Sequence, residues 1–162
     1  MLFAGMLLLN PVTRFRLLQE PRFTNLTITP ATSWNSINYR WMEWNACLKI
    51  ISENKLFGIG TGDAQEALNK FYASIHPDLQ KLNYNAHNQF LQTTLELGFL
   101  GLLSLLACIW FPLPQFHFSN QYLAFLLIFI LMCLTESLLA RQKGIVFFTL
   151  FQSLYLTNSY AR

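Results

Sequence analysis

The sequence predicts an all-α, polytopic membrane protein with amphipathic helices in a large extramembrane loop, and three observations predict it. Of 162 residues, 53% are hydrophobic and only 12% are charged, against about a quarter charged in an ordinary globular domain. Fourteen of the nineteen charged residues lie between Arg14 and Lys81, whereas Leu97 to Thr135 carries none, which leaves room for two spans and a short turn. Within the charged half, apolar residues recur at helical spacing rather than in the alternation of a strand.

The same composition excludes several function classes. A net charge of +3, dispersed and without a basic run, does not suit nucleic acid. Cys47, Cys108 and Cys133 form no CxxC pair, so neither a disulfide framework nor a zinc site is expected. No carboxylate cluster or Cys/His set stands at metal spacing, and no cofactor is expected.

Residues 1–10 hold about nine apolar residues without a basic flank, short of the roughly twenty needed to span. They read as the tail of a transmembrane helix, which leads us to expect a fragment of a longer membrane protein. Residues 11–86 follow as a polar loop. Arg14, Arg16 and Arg22 stand just after the apolar start, where arginines either signal topology or meet a phosphate.

From Ser36 to about Asn54, Ile37, Trp41, Trp44, Leu48 and Ile51 recur at four, three, four and three, which predicts an amphipathic helix lying on a membrane surface or on other helices. Arg40 and Glu43 on its flank are spaced to pair with each other. Gly58-Ile59-Gly60-Thr61-Gly62-Asp63 ends that helix. It reads either as a turn or as an anion-binding nest, and Asp63 with Glu66 predicts a capping box for the next helix, Ala64 to Ile75. That helix stops before His76-Pro77, since the residue preceding proline avoids helical backbone.

Tyr84-Asn85-Ala86-His87-Asn88-Gln89-Phe90-Leu91-Gln92 then runs unbroken into Leu95-Glu96-Leu97-Gly98-Phe99-Leu100-Gly101. If one helix continues through this boundary, His87 shares a face with Thr94, Gly98, Gly101, Ser104 and Cys108, a small-residue stripe that would turn it into a protein bundle at the water interface. The plainer reading makes His87 a helix-entrance hydrogen-bonding group. Residues 87–162 are expected to supply three transmembrane helices: Leu97 to Phe111, Tyr122 to Leu139, and Ile145 to about Thr157. Glu136 and Arg141 flank the last turn and are placed to pair across it.

Arg40 followed by Trp44, Gly58-Ile59-Gly60-Thr61-Gly62, Asn85 to Leu91, Glu96 to Gly101, and Thr135 to Gly144, in that order, resemble the C-terminal portion of the O-antigen ligase and polymerase family of bacterial envelope proteins. The resemblance implies a multi-pass protein of the bacterial inner (cytoplasmic) membrane, with residues 11–86 as a periplasmic loop. It implies transfer of a glycan from an undecaprenyl pyrophosphate carrier to the hydroxyl of an acceptor, lipid A core or another glycan, among membrane lipids. His87 and Arg40 become the candidate catalytic residues. Arg14, Arg16, Gly60, Gly62, Asn88 and Arg141 become the candidate substrate contacts.

The chemistry suits those side chains. An attacking hydroxyl must lose a proton, and imidazole titrates near working pH; a departing pyrophosphate needs positive charge, which a guanidinium supplies bidentately without a metal. A second reading is a non-catalytic membrane protein whose loop binds a polyprenyl-linked glycan or a partner. Against the usual charge rule, a periplasmic loop would place Arg141 and Lys143 outside as well.

Overall fold

The computed structural model describes residues 36–75, 79–110 and 120–160. The described chain is helical, with no strand among the described residues: α1 Ser36–Glu53, α2 Ala64–Ile75, a 3-10 turn Leu79–Leu82, α3 Gln89–Trp110, α4 Asn120–Thr135, a 3-10 turn Leu138–Ala140 and α5 Gln142–Tyr160. The chain divides into two compact units, Met1–Tyr39 and Arg40–Arg162, and every described helix except the first turn of α1 belongs to the second. The apolar tail at 1–10, Arg14, Arg16 and Arg22 lie outside the described residues.

The all-α expectation agrees with this architecture, and α1 and α2 stand where the spacing puts them. The face of α1 differs. Met42, Glu43, Ala46, Cys47 and Ile51 are buried, whereas Trp41 and Leu48 of the expected stripe are exposed. Ala46 and Cys47 are small, and small side chains let a neighbour approach closely, so the buried face is set by size as well as by hydropathy. At α2 the capping box does not form: Glu66 turns to Lys70 at 2.6 Å instead of reaching back, a pair four residues apart on an exposed face.

Leu105 and Ile109 of α3, Tyr122, Phe125, Leu126, Phe129 and Cys133 of α4, and Phe148 of α5 form one buried cluster. Phe129 and Phe148 stack at 4.4 Å between centroids, and Phe125 stacks on Phe151 at 5.5 Å. The opposite faces of these helices show Leu103, Leu127, Ile128, Leu131, Leu150 and Leu154 to the outside. Helices apolar on both faces suit a lipid surround.

Three spans are expected from hydropathy. Among the described residues one helix, Gln89–Trp110, is long and apolar enough to cross a bilayer, and Gln121–Thr135 is apolar but shorter. The cause at α4 is local: the helix stops at Thr135, and Glu136 to Ala140 bend into the 3-10 turn rather than extending the helix to Leu139.

Inside α3 the backbone breaks at Gly98, with φ 66° and ψ −164°. The glycine loop after α1 docks on this break through four main-chain hydrogen bonds. Ile59 N–H donates to Leu95 O at 3.0 Å, Gly60 N–H to Glu96 O at 2.9 Å, Phe99 N–H to Lys55 O at 2.8 Å and Leu100 N–H to Leu56 O at 3.4 Å. Amides and carbonyls freed by the break are thus satisfied by the loop. Gly58 at φ 66° packs so closely that a Cβ would lie 2.5 Å from the Glu96 carbonyl carbon, and only glycine fits such an approach.

Candidate functional site

The continuous helix through His87 does not form. Helix α3 begins at Gln89 and breaks at Gly98, so His87, Thr94, Gly98, Gly101, Ser104 and Cys108 do not line one face. His87 instead sits in a bend at φ 42°, in the left-handed region, a conformation that costs an L-residue about 1–2 kcal/mol.

Neighbours on both sides hold that bend. The Asn85 Oδ1 accepts from His87 N–H at 3.0 Å, a local turn that Asn makes readily. Trp44 Nε1–H donates to Ala86 O at 3.1 Å, tying α1 to the bend, and Ala86 N–H donates to Gln92 Oε1 at 3.1 Å. Asn88 caps α3 by accepting from Leu91 N–H at 3.1 Å, and its amide donates to Leu134 O at 3.3 Å. Gln89 Oε1 accepts from Leu139 N–H at 2.6 Å, which fixes the turn after α4 to the start of α3.

These ties bring together four side chains, from α1, the bend and the end of α4. His87 Nδ1 lies 3.2 Å from Glu136 Oε2, Arg40 Nη2 lies 3.6 Å from Glu136 Oε1, and His87 Nε2 lies 4.0 Å from Glu43 Oε1. The Tyr84 ring meets the imidazole edge-on at 5.9 Å. A carboxylate can only accept, so a hydrogen bond at the Glu136 contact would place the hydrogen on Nδ1 and leave the Nε2 lone pair for other work. The imidazole side chain is 27% exposed, Arg40 37% and Glu136 41%, open enough for a substrate to reach them.

Glu43 differs from the other three. Its side chain is 2% exposed, and its Oε2 has no hydrogen-bond partner among the described residues. Burial pushes the carboxyl up from 4.5 to about 7, opposed by the Arg40 charge and aided by Glu136.

Of the expected site residues, the structure joins His87 and Arg40 through one carboxylate. Asn88 lies beside His87, with its side chain bonded to Leu91 N–H and Leu134 O. The Gly60 amide is bonded to Glu96 O and so is not an open donor, while nothing among the described residues lies within 4 Å of where a Gly62 Cβ would stand. Arg141 is exposed on the turn after α4, and Glu136 engages Arg40 and His87 rather than Arg141. Nor do Arg40 and Glu43 form the expected close pair: Arg40 reaches Glu136. Glu136 and Glu43 are the site residues that spacing alone misses. Their signal is that each interrupts an apolar face, Glu43 between Met42 and Trp44 and Glu136 at the end of a charge-free run.

A family model described as O-antigen ligase matches residues 1–106, which include Arg40, Glu43 and His87 but not Glu136. No curated protein and no solved structure matches the chain. With the match covering well over half of its length, the chain belongs to the O-antigen ligase family, a family of bacterial membrane proteins.

Proposed function

We propose that the chain works as part of a multi-pass glycan transferase of the bacterial inner membrane, moving a glycan from a polyprenyl pyrophosphate carrier to an acceptor hydroxyl. Residues 11–86 form its periplasmic loop and residues 87–162 three crossing helices. The outward apolar faces of α3, α4 and α5 support that arrangement.

In the reaction the acceptor oxygen attacks the anomeric carbon. The bond from that carbon to the pyrophosphate oxygen breaks, its electron pair leaves with the pyrophosphate, and the acceptor proton passes to His87 Nε2. Glu136 on Nδ1 orients the ring and stabilises the imidazolium as it forms. Arg40, partly exposed beside the same carboxylate, meets the negative charge of the departing group. The observation that carries this reading is the 3.2 Å contact between His87 Nδ1 and Glu136, which leaves the other ring nitrogen available as a base.

Replacing His87 with Asn tests it, because Asn tolerates the left-handed backbone that Ala would strain. Transfer from a polyprenyl pyrophosphate glycan, measured in membranes at matched expression, is expected to fall by about 10²–10⁴ with insertion unchanged. Near-normal transfer by His87→Asn refutes the base assignment.

A further inference from the structure

Glu43 has no part in the transfer step, and its position calls for one. Its carboxyl is buried on the inner face of α1 with one oxygen lacking a hydrogen-bond partner among the described residues, and the other oxygen lies 4.0 Å from His87 Nε2. That distance is too long for a hydrogen bond but short for two charges. We propose that Glu43 is a positioning residue for the base: its protonation is linked to that of the imidazole. Protonated Glu43 leaves the ring free to accept a proton, and ionised Glu43 holds it as imidazolium. The inference rests on the base role proposed for His87.

Arg40 and Glu136 act on the Glu43 charge, the Glu43 charge in turn acts on Cys47 of its own helix and Tyr72 of α2, and His87 faces it from the bend. Burial pushes the Cys47 thiol up to about 12 and pushes the Tyr72 phenol up as well, so both stay neutral. The charges left are Arg40, Glu136, His87 and Glu43 itself. Arg40 and Glu136 balance each other as an ion pair. A neutral Glu43 then leaves the imidazole facing one carboxylate. An ionised Glu43 places a second carboxylate against the nitrogen that must receive the acceptor proton, and an imidazole between two anions keeps its proton.

The test has two arms on the full chain in lipid nanodiscs. Infrared difference spectra over a pH titration are expected to show a carboxylic-acid carbonyl band that persists into the neutral range, is absent in Glu43→Gln, and moves to higher pH in His87→Asn. Absence of a Glu43-dependent band at pH 6 overturns the linkage, and so does a band that titrates identically in His87→Asn. In the transfer assay, Glu43→Gln is expected to lower the ratio of rates at pH 6 to pH 8 by at least about threefold, because the neutral side chain frees the ring at pH 8, where Glu43 is otherwise ionised. A loss by the same factor at every pH marks Glu43 as merely structural and overturns the proposal. A chain that transfers nothing at any pH refutes the proposed function instead, and the infrared arm, which needs no turnover, still decides the linkage.

Discussion

Substituting Gly98 with Ala probes the break in α3 and the loop docked on it. At φ 66° and ψ −164° the backbone occupies a region that is essentially glycine-only, and forcing a side chain into it costs of order 1–3 kcal/mol. The added Cβ would also run into the carbonyl oxygen of Leu56, which accepts from Leu100 N–H in the docked loop. Main-chain atoms cannot rotate away, so the loop must withdraw and the bonds on the Phe99 side lengthen. With two such bonds weakened at about 1 kcal/mol each, the total is roughly 3–5 kcal/mol, or a fall of about 10 °C in Tm for a chain of this length. Gly62→Ala is the matched control: nothing lies within 4 Å of its would-be Cβ, and its cost should stay within about 0.5 kcal/mol. Tryptophan fluorescence followed through thermal unfolding in detergent measures both. Equal Tm values for the two variants would mean that the loop is not seated on Gly98, and the account of the glycines would fail.

Glu43 gives a pH prediction of definite sign. Its folded-state pKa lies above the unfolded value, so the native state binds the extra proton and stability falls as pH rises from about 4.5 through about 7, then levels off. The full loss is roughly 3 kcal/mol at about 1.4 kcal/mol per pH unit; Glu43→Gln should flatten the Tm difference between pH 5 and pH 8, and an unchanged difference contradicts the burial argument. Arg40→Lys should lower transfer at least about tenfold, equivalent to about 1.4 kcal/mol on the barrier, because an ammonium cannot reproduce the planar fork; a twofold loss in membranes at matched expression would leave Arg40 as no more than a counter-ion to Glu136. Transfer should survive chelation, since no three His, Cys, Asp or Glu side chains converge at metal spacing among the described residues; loss on adding chelator with recovery on adding magnesium would go against this.

The helices of the loop were legible because their signals are local: apolar spacing for α1, and a proline two residues past the end of α2. What could not be read was backbone geometry and long-range pairing. Gly98 looked like one member of a small-residue stripe, because spacing cannot distinguish a glycine that lets two helices approach from one that breaks its own helix. The same blindness put His87 on a helix face, when the left-handed bend that holds it depends on Trp44, which donates to the carbonyl of Ala86, 42 residues away. Arg40 and His87 were nameable from the resemblance. Their common carboxylate was not, since Glu136 has a nearer sequence neighbour of opposite charge in Arg141, and proximity in sequence is a poor guide to which pair forms across a turn.

That shared carboxylate also makes the site late in the life of the chain. Glu136 follows His87 by 49 positions, which at a synthesis rate of about 5–20 residues per second is roughly 2–10 s of translation. During that interval the chain carries the imidazole and the guanidinium without the anion that orients them. The ring and the guanidinium therefore meet their shared carboxylate only once the end of α4 has been made and packed beside them. A ribosome-stalled or proteolytically clipped chain ending before residue 136 would hold every matched residue of the site and still lack the group that sets its tautomer.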